Sequence, residues 1–318
     1  MKVLITGSRG YIGSVLAKTL SEQGIIPLGI DHNGRPDGST IYGMYQEACI
    51  TDDEVIEVVM QSGIDTIFHL AASADVGESV THPAPFYYNN IGRTSLMMTK
   101  LLARGWRGKV IFSSTAAVYE PTMYIVNEND PKISPNPYGR SKLACEELLL
   151  DIYNAHKIPV VVFRYFNVAG AWDDVGDHLD ANHIISRMCS TAHSNSLFTI
   201  FGNDKQTRDG TCVRDYLHVR DVCDAHLHAA EYLDANPGFH TFNLGTGTGK
   251  TNKEMVEAFE RFTGSKLKVA YGPGRPGDPD ILFANPSKFT NLTGYRYKHS
   301  SLENMISTAW QYYCNKME

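Results

Sequence analysis

The chain opens with a short apolar run followed by three glycines at a fixed spacing. Lys2–Thr6 is typical of a buried strand, and the glycines that follow it in the pattern G-x-x-G-x-x-G precede a helical stretch. Glycine permits a tight turn and lets the backbone come close to a pyrophosphate, and the free N–H groups at the start of a helix bind phosphate oxygens. The opening therefore predicts a dinucleotide-binding turn whose contacts come from Gly7, Gly10, Tyr11, Ile12 and Gly13.

Asp31 is the last residue of the next apolar run, Ile26–Asp31. After a turn of this kind, a carboxylate at that place accepts hydrogen bonds from the ribose hydroxyls of adenosine and repels a 2′-phosphate, so it favours NAD over NADP. The alternative is an aspartate that caps a turn or a helix. His32 and Asn33 are further candidate ribose contacts, with an ordinary loop as their alternative.

Apolar strands alternate with amphipathic helices through the first half of the chain. The strands are predicted at Lys2–Thr6, Ile26–Asp31, Thr66–Ala71, Lys109–Ser114 and Pro159–Phe166. The helices are predicted at Gly10–Gln23, Asp53–Ser62, Pro83–Arg104 and Tyr138–His156. Because such alternation requires a parallel sheet covered by helices on both faces, we predict an α/β fold with a Rossmann-type doubly wound sheet.

Beyond about Ala171 the pattern becomes less regular and richer in loops. Helices are predicted near Asn182–Ala192 and at Asp221–Leu233, Lys253–Phe262 and Leu302–Cys314, with strands at Leu197–Phe201 and Phe239–Leu244. We therefore expect residues 1–172 to form the NAD-binding Rossmann domain, joined by elements from about residues 215–245. Residues 173–318 are expected to form a smaller C-terminal α/β substrate-binding domain.

Composition excludes several classes of protein. The net charge of −6 and the lack of any basic run argue against a nucleic-acid or anionic-membrane partner. No apolar stretch approaches the ~20 residues of a membrane span, and no secretory segment precedes the first strand. The six cysteines form no C-x-x-C pair, so we expect free thiols in a cytoplasmic protein. The twelve histidines show no ligand spacing, so no metal site is predicted.

A tyrosine and a lysine four positions apart supply the candidate chemistry. Tyr138 and Lys142 fall on one face of a helix, where the ammonium group can lower the pKa of the phenol and allow it to act as a base near neutral pH. Thr115 follows the predicted strand Lys109–Ser114, at the sheet edge where α/β proteins bind ligands. Its hydroxyl is a candidate partner for the reacting oxygen, with a strand-end hydrogen bond as the alternative.

An ordered series of motifs extends this pattern over nearly the whole chain. It runs through His69-Leu70-Ala71-Ala72, Val76-Gly77-Glu78-Ser79, Asn89-Asn90, Ser113-Ser114-Thr115, Tyr138 to Lys142, Arg164-Tyr165-Phe166-Asn167, Val213-Arg214-Asp215-Tyr216 and Arg275-Pro276-Gly277-Asp278. In these motifs the sequence resembles the extended short-chain dehydrogenase/reductase family, and within it the group of UDP-glucose 4-epimerases.

The resemblance implies a role for each matching position. Tyr138 would exchange a proton with the sugar 4-hydroxyl, sharing its hydrogen bond with Thr115, and Lys142 would bind the nicotinamide ribose. Further NAD contacts would come from Asp31, Asn33, Ile50, Leu70, Ala71, Ala72, Asn90, Ser113 and Tyr165. A UDP-sugar substrate would be held by Asn167, Asn182, Phe201, Arg214, Arg275, Asp278 and Leu282. A surface salt bridge is the alternative for each arginine, because Asp215 and Asp278 are near in sequence.

The implied activity is NAD-dependent 4-epimerisation of a UDP-hexose, UDP-glucose or UDP-galactose, through a 4-keto sugar. Epimerisation of UDP-GlcNAc, UDP-glucuronate or a UDP-pentose is the main alternative. A nucleotide-sugar dehydratase is disfavoured because Ala116 and Ala117 follow Thr115, where dehydratases carry acidic residues. A non-catalytic NAD-binding regulator is disfavoured because Thr115, Tyr138 and Lys142 are all retained.

Three positions depart from the pattern of the family. Cys49 occupies the place of an aspartate that contacts the adenine amino group, which leaves that contact in doubt. Ala74 occupies the place of a lysine near the nucleotide phosphates, with Asp75 beside it. Leu282 matches the position that limits the size of the sugar pocket and is intermediate in size, so the range of substrates stays open.

Two helices, Pro83–Arg104 and Tyr138–His156, carry apolar residues on more than one face. In the family these helices pack across a two-fold axis, so the resemblance implies a homodimer. The alternative is that the extra apolar surface packs against the chain's own second domain.

Overall fold

The computed structural model describes residues 1–32, 40–179, 181–274 and 278–318. Its strands are β1 Val3–Thr6, β2 Leu28–Asp31, β3 Met44–Glu47, β4 Thr66–His69, β5 Lys109–Thr115, β6 Val160–Tyr165, β7 Asn167–Ala169, β8 Leu197–Phe201, β9 Val213–His218, β10 Phe239–Leu244, β11 Gly249–Thr251, β12 Lys268–Gly272 and β13 Ile281–Leu282.

The α-helices are α1 Tyr11–Glu22, α2 Asp53–Gln61, α3 Val76–Thr81, α4 Pro83–Phe86, α5 Arg93–Ala103, α6 Pro137–His156, α7 Ile184–Ser194, α8 Val219–Ala235, α9 Asn252–Thr263, α10 Ser287–Thr293 and α11 Leu302–Met317. A π-helical segment, Tyr87–Gly92, joins α4 to α5. The predicted helix Pro83–Arg104 is therefore wrong as one regular helix: it is three consecutive pieces.

The main sheet has seven strands in the order β10-β6-β5-β4-β1-β2-β3. The pairings from β6 through to β3 are all parallel. The order in which strands are added to the sheet reverses between β1 and β4: β1 is followed by β2 and β3 on one side, and β4 by β5 and β6 on the other. This switch point is where open α/β sheets bind ligands, and the predicted Rossmann-type α/β fold is confirmed.

Backbone contacts divide the chain into two compact units. The first comprises Met1–Glu120, Asp130–Tyr165 and Cys223–Phe242, and the second comprises Pro121–Asn129, Phe166–Val222 and Asn243–Glu318. Residues 121–129 and 166–172, which the sequence division placed in the first domain, belong to the second unit. The stretch that returns to the first unit is 223–242, narrower than residues 215–245.

The first unit is organised around a core of aliphatic side chains. Leu4, Ile67, Val110 and Val160 of four neighbouring strands are at most 1% exposed, and Leu101 and Leu149 from the helices pack in the same cluster. Strand β6 is buried along its whole length, including Arg164, which explains its nearly continuous apolar sequence.

The second unit has its own core and two small sheets. Strand β9 is central to one sheet, where it pairs with β7, β11 and β13. Strands β8 and β12 form the other, a parallel pair. Side chains of α7, α9 and α11, including Met188, Phe259 and Ile306, form the apolar cluster.

All six cysteines are free thiols, and four of them are buried. Within the described ranges, no helix combines the length and the apolar character that crossing a membrane requires.

Candidate active site at the carboxyl ends of the parallel strands

Two positions of the turn after β1, Gly7 and Gly13, have space for glycine only. Gly7 has φ +72°, and a Cβ atom there would lie 2.7 Å from the backbone nitrogen of Ala71. A Cβ atom on Gly13 would lie 2.1 Å from the carbonyl oxygen of Gly7. Helix α1 then begins at Tyr11 behind Gly10, which has no side chain to cap the first N–H groups. This geometry fits a pyrophosphate, because the backbone is accessible and helix N–H groups remain for an anion.

Asp31 lies where the sequence predicted it, at the end of β2. Its carboxylate is buried and accepts a hydrogen bond of 2.9 Å from the backbone N–H of Arg9 in the glycine turn. A pocket in the first unit brings Asp31 together with Ile50, Ala71 and Ala72, three other predicted cofactor contacts, and with Cys49. His32 lines the same pocket, whereas Asn33 lies outside the described residues.

A buried histidine holds the loop that follows β4. The hydroxyl of Thr6 lies 2.7 Å from Nδ1 of His69 and accepts a hydrogen bond of 3.2 Å from the backbone N–H of Ala71. On the other side, Nε2 of His69 lies 2.8 Å from the hydroxyl of Thr94. Burial and the nearby charge of Lys142 lower the pKa of His69 to about 3, so its ring is neutral.

Asn90, a predicted cofactor contact, is buried in the π-helical segment. Its side-chain oxygen accepts from the N–H of Ser73 at 2.8 Å, and its amide donates to the carbonyl of Ser73 and the hydroxyl of Ser141, at 3.1 and 2.9 Å. Asn90 thus ties the loop after β4, which contains Leu70, to helix α6.

Thr115, Tyr138 and Lys142 meet at the end of β5. Thr115 is the last residue of that strand, and its hydroxyl makes a hydrogen bond with the phenol of Tyr138 in the first turn of α6. The ammonium group of Lys142, 2% exposed, donates to the carbonyl oxygen of Ser113 at 2.6 Å. The structure therefore brings the three predicted catalytic side chains together at the end of β5, beside the predicted cofactor contact Ser113.

The pKa of the Tyr138 phenol is raised in this structure, whereas the sequence predicts that Lys142 lowers it. Burial raises the pKa of Tyr138 to about 12, and the hydrogen bond from Thr115 only partly opposes that rise. Burial also lowers the pKa of Lys142 to about 8, against the charges of Cys145 and Glu146. The sequence predicts a lowered phenol pKa, whereas in the chain alone burial outweighs the hydrogen bond with Thr115 and the pKa of the phenol is raised.

Tyr165, the last residue of β6, supports the same strand end. Its hydroxyl lies 2.6 Å from Nε2 of His226 and also makes a hydrogen bond with Ser113. Burial raises its pKa well above the ordinary value, so it stays a neutral phenol.

Sequence reasoning missed a buried ion pair behind the catalytic residues. Glu146 and Arg164 are joined by bonds of 3.1 Å from Nε and 2.6 Å from a terminal nitrogen, and the other terminal nitrogen donates to the hydroxyl of Tyr119 at 2.8 Å. Glu146 also accepts from the hydroxyl of Ser114. The signal was present: Glu146 is one turn after Lys142, and Arg164 interrupts an apolar strand.

In the second unit, predicted substrate residues gather on one small sheet. Asn167 of β7 is paired with Tyr216 of β9, and Leu282 of β13 is paired with Arg214. The buried guanidinium of Arg214 bonds to Asp278 and to the carbonyl oxygen of Pro279, the latter at 2.7 Å. The salt bridge considered as its alternative is therefore present, with Asp278 as partner.

Two other predicted substrate residues lie on different elements of that unit. Phe201 ends β8, with the guanidinium of Arg187 5.3 Å from its ring centroid, and Asn182 is exposed just before α7. Arg275 lies outside the described residues. Asp215 does not pair with Arg214, because its buried carboxylate accepts backbone N–H groups from Thr246, Gly247 and Ala284.

A glycine turn at the switch point, a buried carboxylate at the end of β2 and a threonine–tyrosine–lysine cluster define a class: Rossmann-type dinucleotide-binding proteins with acid–base chemistry. The chain belongs to the NAD dependent epimerase/dehydratase family, whose model matches residues 3–245.

Its relatives match it from end to end. A UDP-glucose 4-epimerase of Halalkalibacterium halodurans is 38% identical over 98% of this chain and 96% of its own length. The crystal structure of UDP-glucose 4-epimerase from Brucella ovis in complex with NAD is 36% identical, with a TM-score of 0.91 over 98% of both chains. The structure from Stenotrophomonas maltophila with bound NAD and formylated UDP-arabinopyranose is 31% identical, with a TM-score of 0.93 over 100% of this chain and 99% of the other.

Proposed function

We propose that this chain is an NAD-dependent 4-epimerase that interconverts UDP-glucose and UDP-galactose. The observation that carries the proposal is the meeting of Thr115, Tyr138 and Lys142 at the end of β5. The full-length similarity to UDP-glucose 4-epimerases supports the same activity.

NAD would be held by the first unit. The backbone turn from Gly7 to Gly13 fits its pyrophosphate, Asp31 its adenosine ribose, and Lys142 and Ser113 its nicotinamide end. When bound, NAD supplies a reversible two-electron acceptor for the hydrogen on C4 of the sugar.

Tyr138 would accept the proton of the sugar 4-hydroxyl in its phenolate form. In the chain alone the half-buried phenol is protonated at neutral pH, so it must lose that proton before it can act as the base. Thr115 would orient that phenol and the reacting oxygen. Lys142 keeps a buried positive charge beside the site, and a positive charge favours the ionised form of a nearby phenol. The 4-keto sugar that remains once C4 has lost its hydride would regain a hydride at C4 while the same tyrosine returns the proton to the oxygen.

The UDP part of the substrate would be held by the second unit, through Asn167, Arg214, Phe201 and Leu282. Its diphosphate would replace Asp278 as the hydrogen-bond partner of Arg214. A guanidinium fork suits a diphosphate because it donates two parallel hydrogen bonds. Binding energy from the nucleotide would let the hexose turn over within the site.

The activity is tested by incubating the purified full-length chain with UDP-galactose and following the anomeric protons by NMR. UDP-glucose should accumulate to equilibrium. UDP-GlcNAc, UDP-glucuronate and UDP-arabinopyranose, each incubated separately, define the substrate range. The pentose is included because a relative binds a UDP-arabinopyranose derivative. Absence of a C4 epimer from every sugar would overturn the proposal.

We also infer a homodimer formed through the π-helical segment, α5 and α6. Tyr88, Leu96 and Leu150 are large apolar side chains that these elements expose to solvent, by 65, 44 and 39% respectively. Exposed apolar surface of this kind marks protein interfaces. Light scattering should give twice the chain mass, and Leu96→Glu should shift it to the chain mass. A wild-type monomer at all concentrations would contradict the inference.

We also propose a cytoplasmic location. Six free thiols, of which four are buried, support it, because free thiols are typical of a reducing compartment. Fractionation of the producing cells should recover the chain with cytoplasmic markers.

A further inference from the structure

Arg93 lies at the cofactor pocket, although no motif pointed to it. It is the first residue of α5 and lines the pocket together with Asp31, Cys49 and Ala72. Among the described residues that line this pocket, it is the only lysine or arginine. The π-helical segment directly before it is a form of helix found frequently at functional sites.

Two contacts fix the position of Arg93. Asn89, four residues earlier, donates from its amide to the hydroxyl of Ser73 at 3.0 Å, which ties the segment to the loop after β4. The guanidinium group lies over the ring of Tyr88, 5.3 Å from the ring centroid, which places the cation against an aromatic side chain. A planar cation seated in this way can stack a second flat ring on its other face.

The pocket belongs to the adenine end of the cofactor site. Its walls come from the residues that end or follow β2, β3 and β4, including Asp31, Ile50 and Ala71, and the glycine turn is not among them. A pyrophosphate seated on that turn would therefore leave the adenine, beyond the ribose, for this pocket.

Cys49 leaves the pocket short of a strong polar contact for adenine. Its sulfur lies 3.1 Å from the hydroxyl of Thr51, and a thiol is a weak acceptor for an amino group. Much of the binding energy at this end must then come from stacking. Among the described residues, the polar planar groups that line the pocket include those of His32, Asn89 and Arg93, and of these three the guanidinium of Arg93 is the one that carries a permanent charge.

We propose that Arg93 binds the adenine of NAD by stacking its guanidinium on the ring. The proposal rests on NAD being the cofactor, as the proposed function requires. It makes Arg93 a determinant of cofactor retention, separate from the residues that act on the sugar.

The test is the rate at which the full-length protein exchanges bound NAD for radiolabelled NAD, measured for wild type, R93M, R93K and R104M. Arg104 is an exposed arginine at the end of the same helix and serves as the matched control. R93M should release NAD on the order of tenfold faster, R93K should resemble R93M because it keeps the charge but loses the plane, and R104M should match wild type.

Identical near-UV circular dichroism would establish that the variants are folded. Wild-type release from R93M would overturn the proposal, and wild-type release from R93K would assign the contact to charge alone, which overturns stacking on adenine. A wild-type protein that binds no NAD would overturn the proposed function itself, a result distinct from the other two.

Discussion

Each unit of the molecule contains a buried arginine, and the two are held differently. Arg164 in the first unit is 3% exposed and bonds to Glu146, whose side chain is 6% exposed, and to the buried Tyr119. Arg214 in the second unit bonds to Asp278, whose side chain is 35% exposed and follows directly after the segment 275–277. One ion pair is enclosed by protein, and the other reaches solvent on one side.

The exposure of the acidic partner decides which of the two arginines can exchange that partner for a ligand. Loss of an enclosed partner leaves a buried charge uncompensated. Glu146 and Arg164 are therefore permanent parts of the frame that sets α6 against β6, and Glu146 also joins α6 to β5 through Ser114. A half-exposed partner can be replaced by a diphosphate at low cost. We therefore interpret the first unit as a rigid frame for the catalytic residues and the second as a binding site whose ion pair a ligand can replace.

The largest effect should come from Tyr138→Phe. Loss of the phenolic proton donor should reduce kcat by roughly 10²- to 10⁴-fold while the Kd for UDP stays within about twofold. Tyr153→Phe, on the same helix, is the control and should retain full turnover. An equal loss in both variants, or weakened UDP binding in Tyr138→Phe, would break the division between the units.

Next in size is the contrast between Glu146→Gln and Asp278→Asn, which remove one carboxylate from each ion pair. Glu146→Gln leaves the enclosed Arg164 charge unpaired and should lower the free energy of unfolding by about 3–5 kcal/mol. Asp278→Asn should lower it by less than about 1 kcal/mol, because that pair is partly exposed to solvent. Urea denaturation of both variants measures the contrast, and similar losses would abolish it.

Arg214→Met should weaken UDP binding without a comparable loss of stability. Removing charge-assisted hydrogen bonds worth about 1.5–3 kcal/mol corresponds to a Kd roughly 10- to 100-fold higher. Calorimetric titration with UDP gives the value. Arg208→Met is the control, since Arg208 is an exposed arginine of the same unit paired with Glu254. Unchanged affinity in Arg214→Met would remove Arg214 from the substrate site.

The smallest effect concerns acid. Burial lowers the pKa of His69 to about 3 in the first unit and that of His218 to about 4 in the second, from an ordinary 6.5. In the unfolded chain these histidines bind protons near pH 6.5, whereas in the folded protein they stay neutral to a lower pH. Their contribution to stability is therefore fully present above pH 6.5 and is lost as the pH drops toward those two values. The decrease in Tm between about pH 7.5 and 5 should be smaller in His69→Gln and His218→Gln than in wild type. An unchanged slope in both would refute the sign.

Periodicity predicted the first unit well because its strands are buried on both faces. Runs such as Lys2–Thr6 and Pro159–Phe166 leave few alternatives to a parallel strand, and the glycine turn determines the path of the chain from β1 into α1. Strand β3 was missed because Met44–Glu47 lies at the edge of the sheet and has no fully buried residue. The π-helical segment was missed because its sequence is compatible with an ordinary helix.

The second unit was harder to predict for a physical reason. Strand β9 contains Arg214 and Asp215, and their burial depends on partners distant in sequence, Asp278 and the turn at Thr246. A charged residue in a sequence indicates an exposed segment, so a buried strand that contains one cannot be recognised until the partner of the charge is known. The lysine that bonds to the Ser113 carbonyl illustrates the same limit, since spacing predicted its helix face but not its acceptor.

In the proposed reaction, hydrogen leaves C4 of the sugar and returns to C4 within one site. The most direct test is incubation of the purified chain with UDP-galactose carrying deuterium at C4, in ordinary water, with the product examined by NMR. UDP-glucose that keeps its deuterium at C4 is the expected product. UDP-glucose with solvent hydrogen at that carbon, or no UDP-glucose at all, would contradict it.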